Sequence, residues 1–229
     1  MLQMKRILIT LLFCLLMTSP QVAYGEWFTD LYFGSAWTKD GDITRKSPKP
    51  RVSNKEDFEN DLTAGYRVGH WFNKLPFLGL AIDGSIFSAD PDFGSGENDE
   101  ASLLFVPVSV LVMGRIPILR EPDFPMGKFQ LYGGAGPGVF YSKVHADDVI
   151  IISTPSGIVT DDFSDESFDF GLDTRLGFAW MFHKSIALQL EFRYTHVEPN
   201  YYNRVLGEKF KYEVEVETYH GLIGLSYRF

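Results

Sequence analysis

The feature that most constrains this chain is a period of two. After residue 25, apolar residues alternate with small or polar ones through eight segments, near 27–37, 61–72, 78–86, 104–112, 129–141, 168–180, 186–195 and 219–229. In the second, Leu62, Ala64, Tyr66 and Val68 oppose Thr63, Gly65, Arg67 and Gly69. In the seventh, Ile186, Leu188, Leu190 and Phe192 oppose Ala187, Gln189, Glu191 and Arg193. Successive side chains of a strand point to opposite faces, whereas an amphipathic helix repeats near 3.6 residues. The pattern therefore predicts an all-β chain of one-sided strands and excludes a helical bundle.

Segments of roughly 9–14 residues have the reach of tilted transmembrane strands. The connections alternate in character. Residues 38–58, 89–101, 143–166 and 198–211 are long and polar, and 73–76 and 182–185 are short. Residues 117–127 are longer than such a turn usually is. Pro107 and Pro137 fall inside segments, where each removes a ladder hydrogen bond, so both are read as bulges.

The two faces differ in size as well as polarity. The apolar face carries Trp, Phe, Leu, Ile and Val. The other carries glycines and charges of both signs, among them Arg67, Asp83, Asp173, Arg175, Glu191 and Arg193. An eight-stranded barrel has an interior just wide enough for side chains. This places the bulky face outside and predicts a filled polar lumen held by those six residues as an ion-pair network. Aromatic residues make up 15% of the chain and gather at segment ends. Trp71, Phe72, Phe77, Phe129, Trp180 and Phe182 lie near the short turns, and Trp37, Tyr141, Phe168 and Tyr194 near the long loops. Two such belts are the interfacial girdles of a membrane barrel.

The first 25 residues read as an address. Lys5 and Arg6 precede the apolar run Ile7 to Met17, and Ala23-Tyr24-Gly25 supplies small residues at −3 and −1. This is the pattern of a secretory signal peptide cleaved after Gly25, leaving one barrel domain over 26–229. The single cysteine, Cys14, leaves with it, so the mature chain has neither disulfides nor thiolate ligands. A net charge of −9 speaks against a nucleic-acid partner, because phosphate binding needs clustered Lys and Arg.

The terminal pattern Ile223-x-Leu225-x-Tyr227-x-Phe229 resembles the C-terminal signal read by the outer-membrane assembly machinery. The runs Leu131 to Gly138 and Leu190 to His196 resemble the fifth and seventh strands of the outer membrane protein beta-barrel domain family, the small eight-stranded OmpA/OmpX-type group. The resemblance covers about nine tenths of the chain. It implies an eight-stranded antiparallel up-and-down transmembrane β-barrel in the bacterial outer membrane, with both termini periplasmic. The partners expected are outer-membrane lipids and lipopolysaccharide, the assembly machinery and periplasmic chaperones, with the loops as candidates for an extracellular partner. The barrel is expected to be a monomer, with no cofactor and no metal. A shared fold does not fix one activity.

Gly133 to Gly138 is not a phosphate loop, because no helix follows it. Arg193 to Asn200 resembles the catalytic strand of lipid A 3-O-deacylases, which carry a Ser two residues after the His. Here that position is Glu198, and a carboxylate does not replace a hydroxyl nucleophile, so no catalytic residues are expected. The loops offer interaction surfaces: Arg45, Lys46, Lys49 and Arg51 for lipopolysaccharide phosphates, and a hairpin with Val149, Ile150, Ile151 and Ile152 for a partner. The acidic runs in 89–101 and 143–166 read as solvated charge. The function expected is that of a non-enzymatic structural or surface-interaction protein. The alternatives are a narrow channel for small solutes and a lipid A-modifying esterase on the outer wall.

Overall fold

The computed structural model describes residues 25–39, 41–45, 51–58, 61–89, 91–92, 101–146, 152–154, 157–159, 163–205 and 208–229. In chain order the strands are β1 (Glu26–Thr38), β2 (Gly41–Arg45), β3 (Arg51–Phe58), β4 (Asp61–Trp71) and β5 (Leu78–Ser88). They continue with β6 (Pro91–Asp92), β7 (Ala101–Ile118), β8 (Phe129–Ala146), β9 (Ile152–Thr154) and β10 (Gly157–Val159). The last are β11 (Phe163–His183), β12 (Ile186–Val197), β13 (Asn200–Val205), β14 (Glu208–Val214) and β15 (Val216–Arg228).

Eight of these close into an antiparallel barrel in the order β1-β15-β12-β11-β8-β7-β5-β4. Closure comes from the two chain ends. β1 pairs with β15 from Phe28↔Arg228 to Thr38↔Thr218, and on its other side with β4 from Glu26↔Trp71 to Ala36↔Asp61. A closed barrel has no edge, so backbone polar groups are satisfied inside the wall, as the hydrocarbon layer demands. At one end the connections are 72–77, 119–128 and 184–185. The other end carries the hairpins β2–β3, β9–β10 and β13–β14, and a second sheet of order β13-β14-β2-β3-β6. We call these the turn end and the loop end.

β8 and β11 stay paired from Phe129↔Trp180 to Phe163↔Ala146, well into the stretch read from sequence as a polar loop. The hydropathy alternation stops near Tyr141 and Phe168, but the hydrogen-bonded ladder continues. Pro107 and Pro137 are not bulges. Pro107 opposes Phe140 and Pro137 opposes Leu172 in registers that run unbroken on either side. Each proline leaves a gap in the ladder on its other side, toward β5 and β7 respectively, without inserting a residue. A lost N–H removes a bond, whereas a bulge needs an extra residue. The barrel's one register shift lies between Met181 and His183, where β11 meets β12 at the turn end.

Leu31, Phe33, Ile82, Val110, Leu176, Leu190 and Leu225 all lie exposed on the outer wall. Aromatic clusters band it at both ends. Phe129 stacks on Phe178 at 5.5 Å and Tyr227 on Phe229 at 5.7 Å near the turns. Tyr141 meets Phe168 at 5.0 Å and Tyr194 meets Tyr219 at 5.2 Å near the loops. Trp71 departs from the expected girdle. It is buried inside the barrel, stacked on Phe28 at 5.3 Å, because it shares parity with the inward Arg67 and Gly69.

The interior is filled in storeys, and the polar lumen expected from sequence is interrupted by two apolar ones. Toward the loops, Ala36, Phe87, Leu103, Phe105, Phe140, Val197, Val214 and Val216 form one apolar cluster, with Tyr201 of β13 reaching in from above. Toward the turns, Phe28, Trp71, Ala81, Leu111, Met113, Tyr132 and Met181 form a second. Charged residues lie between them. A narrow tube accepts Phe and Met where the facing strands offer Ala or Gly, and the expectation of a wholly polar lumen overlooked this.

Candidate functional site

The middle storey is built by strand parity. Asp30 and Tyr32 of β1, Arg67 of β4, Asp83 and Ser85 of β5, and Ser109 of β7 all point inward at one level. Tyr132 of β8, Asp173 and Arg175 of β11, and Glu191 and Arg193 of β12 join them. The chain of contacts begins at Asp30, whose Oδ2 lies 2.7 Å from Arg67 Nε. Arg67 Nη2 lies 2.8 Å from Glu191 Oε2, which also accepts the Tyr132 hydroxyl at 2.8 Å. Glu191 Oε1 lies 3.1 Å from Arg175 Nη1. Arg175 Nη2 reaches Asp83 Oδ1 at 2.6 Å and Asp173 Oδ2 at 3.0 Å. Tyr32 donates to Asp83 at 2.7 Å. Asp173 also takes Arg193 at 2.7 Å and the Ser109 hydroxyl at 3.0 Å, and Arg193 Nη1 donates to Ser85 Oγ at 2.6 Å.

The six sequence-predicted lumen residues, Arg67, Asp83, Asp173, Arg175, Glu191 and Arg193, therefore meet in one network. Arg67 is 1% exposed, and Asp83, Asp173 and Arg193 are 0% exposed. Three arginines face four carboxylates once Asp30 is counted. Charges this deep are tolerable only when paired and hydrogen-bonded on several sides, and each of these is. Asp30, Tyr32, Ser109 and Tyr132 were missed as members, although parity already put Asp30 and Tyr132 on the inward face. Two glycines make room for the tyrosines. A Cβ at Gly65 would run into the Tyr32 ring, and one at Gly177 into the Tyr132 ring. The rings also lie near the guanidinium groups, with Arg175 5.5 Å from Tyr32 and Arg67 5.7 Å from Tyr132.

A smaller polar tier closes the turn end. Arg115 lies 2.5 Å from Glu26, donates to the Pro76 carbonyl at 2.7 Å and sits 4.5 Å over the Trp71 ring. Arg228 donates to Gln130 at 2.8 Å. At the loop end, β15 adds His220, which is edge-on to Phe87 at 4.8 Å and 3.3 Å from Thr195 Oγ1. Above the rim, the Tyr201 hydroxyl donates to Ser142 Oγ at 2.8 Å, and burial pushes its phenol up from the ordinary range.

The other candidate residues scatter. Ile223, Leu225, Tyr227 and Phe229 line the outward face of β15, with Leu225 opposite Leu31 and Leu188 on its two neighbours. Arg45 and Arg51 pair across the β2–β3 hairpin, and Ile152 opposes Val159 across β9–β10, but their side chains lie outside the described set. Lys46, Lys49, Val149, Ile150 and Ile151 lie outside the described residues, as do residues 1–24 of the expected signal peptide. His196 sits on the outer wall at the loop rim. Its Nε2 is 3.6 Å from Glu198 and its Nδ1 is 3.9 Å from Glu217. The residue two places on is a carboxylate with no hydroxyl to attack an ester. The interior charges are paired among themselves, with Arg67 Nη1 the one guanidinium atom of the storey left without a hydrogen-bond partner among the described residues.

Known structures of low sequence identity share this fold. The outer membrane protein OprG from Pseudomonas aeruginosa is 18% identical, covering 90% of this chain and 97% of its own, with a TM-score of 0.59. The outer membrane protein AlkL, determined in lipid bilayers, is 14% identical, covering 93% of each chain, with a TM-score of 0.51. No curated protein sequence matches the chain. The model of the outer membrane protein beta-barrel domain matches residues 8–229. With a closed eight-stranded wall, an apolar exterior and nearly the whole length matched, this chain belongs to the outer membrane protein beta-barrel domain family and resides in the bacterial outer membrane.

Proposed function

We propose that this protein is a non-catalytic structural and surface-interaction component of the outer membrane. Its sealed barrel anchors loops that contact lipopolysaccharide or an extracellular partner. The observation that carries this reading is the filled interior: an ion-pair storey at 0–1% exposure for Arg67, Asp83, Asp173 and Arg193, between two apolar clusters. A tube stoppered at three levels leaves only its outer wall and its loops to meet other molecules. Opposite charges in the middle storey neutralise one another instead of presenting a field of one sign, which a selective pore would need.

The remaining assignments follow the same reading. The loop end faces outward and both termini face the periplasm. Cleavage after Gly25 is supported by the position of β1, which begins at Glu26 and has Trp27 already bonded to Phe229 by backbone at 2.9 Å. The aromatic-ended β15 serves as the assembly signal, because its outward row Ile223 to Phe229 can be presented before the barrel closes on β1. The basic first loop, with Arg45, Lys46, Lys49 and Arg51, attracts lipid phosphates by Coulomb interaction. The test is a binding screen against lipopolysaccharide and envelope or host-surface extracts. It compares the intact protein with a variant lacking 147–162 and one with those four basic residues changed to Gln. Loss of binding in either variant is expected. Identical profiles for all three would contradict the surface-interaction role.

A further inference from the structure

The outer rim holds a cluster that neither the lumen nor the loops account for. His196 on β12 is the direct cross-strand partner of Glu217 on β15, and Glu215 lies two residues further along the same outward row. One ligand atom from each of the three falls within 4.8 Å of the others. Their backbone is fixed from behind, because Val197 and Val216 are buried in the apolar storey on the opposite face. Ligands on a packed sheet keep their spacing better than ligands on a free loop.

The histidine is the telling member. Its Nδ1 is shielded from solvent and has no hydrogen-bond partner. Glu217 Oε1 stands 3.9 Å from Nδ1 and Glu198 Oε1 stands 3.6 Å from Nε2, both too long for a hydrogen bond. Two ligand atoms each about 2.1 Å from a shared ion stand roughly 3–3.5 Å apart, so small side-chain rotations would admit one. Glu217 is already oriented by its surroundings. Tyr194 donates to its Oε1 at 2.9 Å and Lys39 holds its Oε2 at 3.0 Å. Such outer partners commonly aim a ligating carboxylate.

We propose that His196, Glu215 and Glu217 form a site for a divalent ion of the zinc class on the outer wall at the loop rim. One imidazole and two carboxylates suit Zn2+, whereas Ca2+ and Mg2+ favour all-oxygen shells. The two carboxylates offset the ion's charge, although part of the charge of Glu217 is already met by Lys39. Its remaining positions point away from the wall, open to water or an anionic oxygen.

The test uses the mature barrel folded in an uncharged maltoside detergent and stripped of metal. Calorimetric titration with Zn2+ alone should show a saturable site of one equivalent, weakening as pH falls because protons compete for the ligand atoms. His196→Ala and Glu215→Gln should each lower affinity at least about tenfold while the folded band on an unheated gel stays in place. Ca2+ at the same concentrations should leave the site empty. In the unmodified protein, Zn2+ should shift the ring NMR signals of His196. No saturable binding by the unmodified barrel, equal binding by the double variant, or shifts confined to His70 or His183 would overturn the proposal.

Discussion

The middle and loop-side storeys of this barrel fill the same narrow tube by opposite means. The loop-side storey stacks rings, with Phe87 on Phe105 at 5.1 Å and Phe140 beside them. The middle storey interlocks guanidinium and carboxylate groups, some from strands across the tube and some, such as Arg193 and Asp173, from neighbouring strands. Apolar packing tolerates small losses in proportion to the volume removed. A buried ion-pair network does not, because deleting one charge strands its partners without water. The polar storey is therefore the brittle one, and the apolar storey degrades gradually.

That contrast orders the expected effects. Asp173→Ala leaves Arg175 and Arg193 short of their shared carboxylate and should cost about 3–5 kcal/mol in urea unfolding in lipid or micelles. A loss under about 1 kcal/mol, within the range of an exposed pair, would mean the storey is wet. Phe105→Ala should cost about 3 kcal/mol, read from the same unfolding curves as a shifted midpoint with an unchanged slope. A collapse larger than that of Asp173→Ala would reverse the comparison. Gly177→Ala pushes a methyl into the Tyr132 ring beside Glu191 and should cost about 2 kcal/mol. Tryptophan fluorescence during refolding tracks that loss, and an unaffected Gly177→Ala barrel would mean that the ring is free to move. Tyr201→Phe removes the bond to Ser142 at the top of the apolar storey and should cost about 1 kcal/mol, seen as a small drop in the temperature at which the folded gel band disappears.

How much of this could be read in the sequence follows from where parity is clean. β4, β5 and β12 alternate bulky with small or charged residues, so Arg67, Asp83, Glu191 and Arg193 declared their face in advance. In β7 parity set Phe105, Ser109 and Leu111 opposite Val108, Val110 and Val112, which are exposed, but large apolar residues on both faces gave no sign that rings and Met113 fill the tube above and below the charges. The inner apolar storeys stayed hidden for that reason. Trp71 shows the converse error: its place at a strand end pointed to a girdle, while its parity pointed inward. The rim cluster was out of reach altogether. His196 and Glu217 are distant in sequence, and only the β12–β15 register brings them together.

Ion conduction tests the central claim of a sealed interior most directly. The barrel reconstituted in a planar bilayer, orientation checked by protease access to the loops, should hold a closed baseline across both polarities. Asp173→Ala, by loosening the middle storey, should add at most brief irregular openings. A steady, ion-selective conductance from the unmodified protein, altered in selectivity by Asp173→Ala or Arg193→Ala, would contradict the account and make the network the lining of a pore.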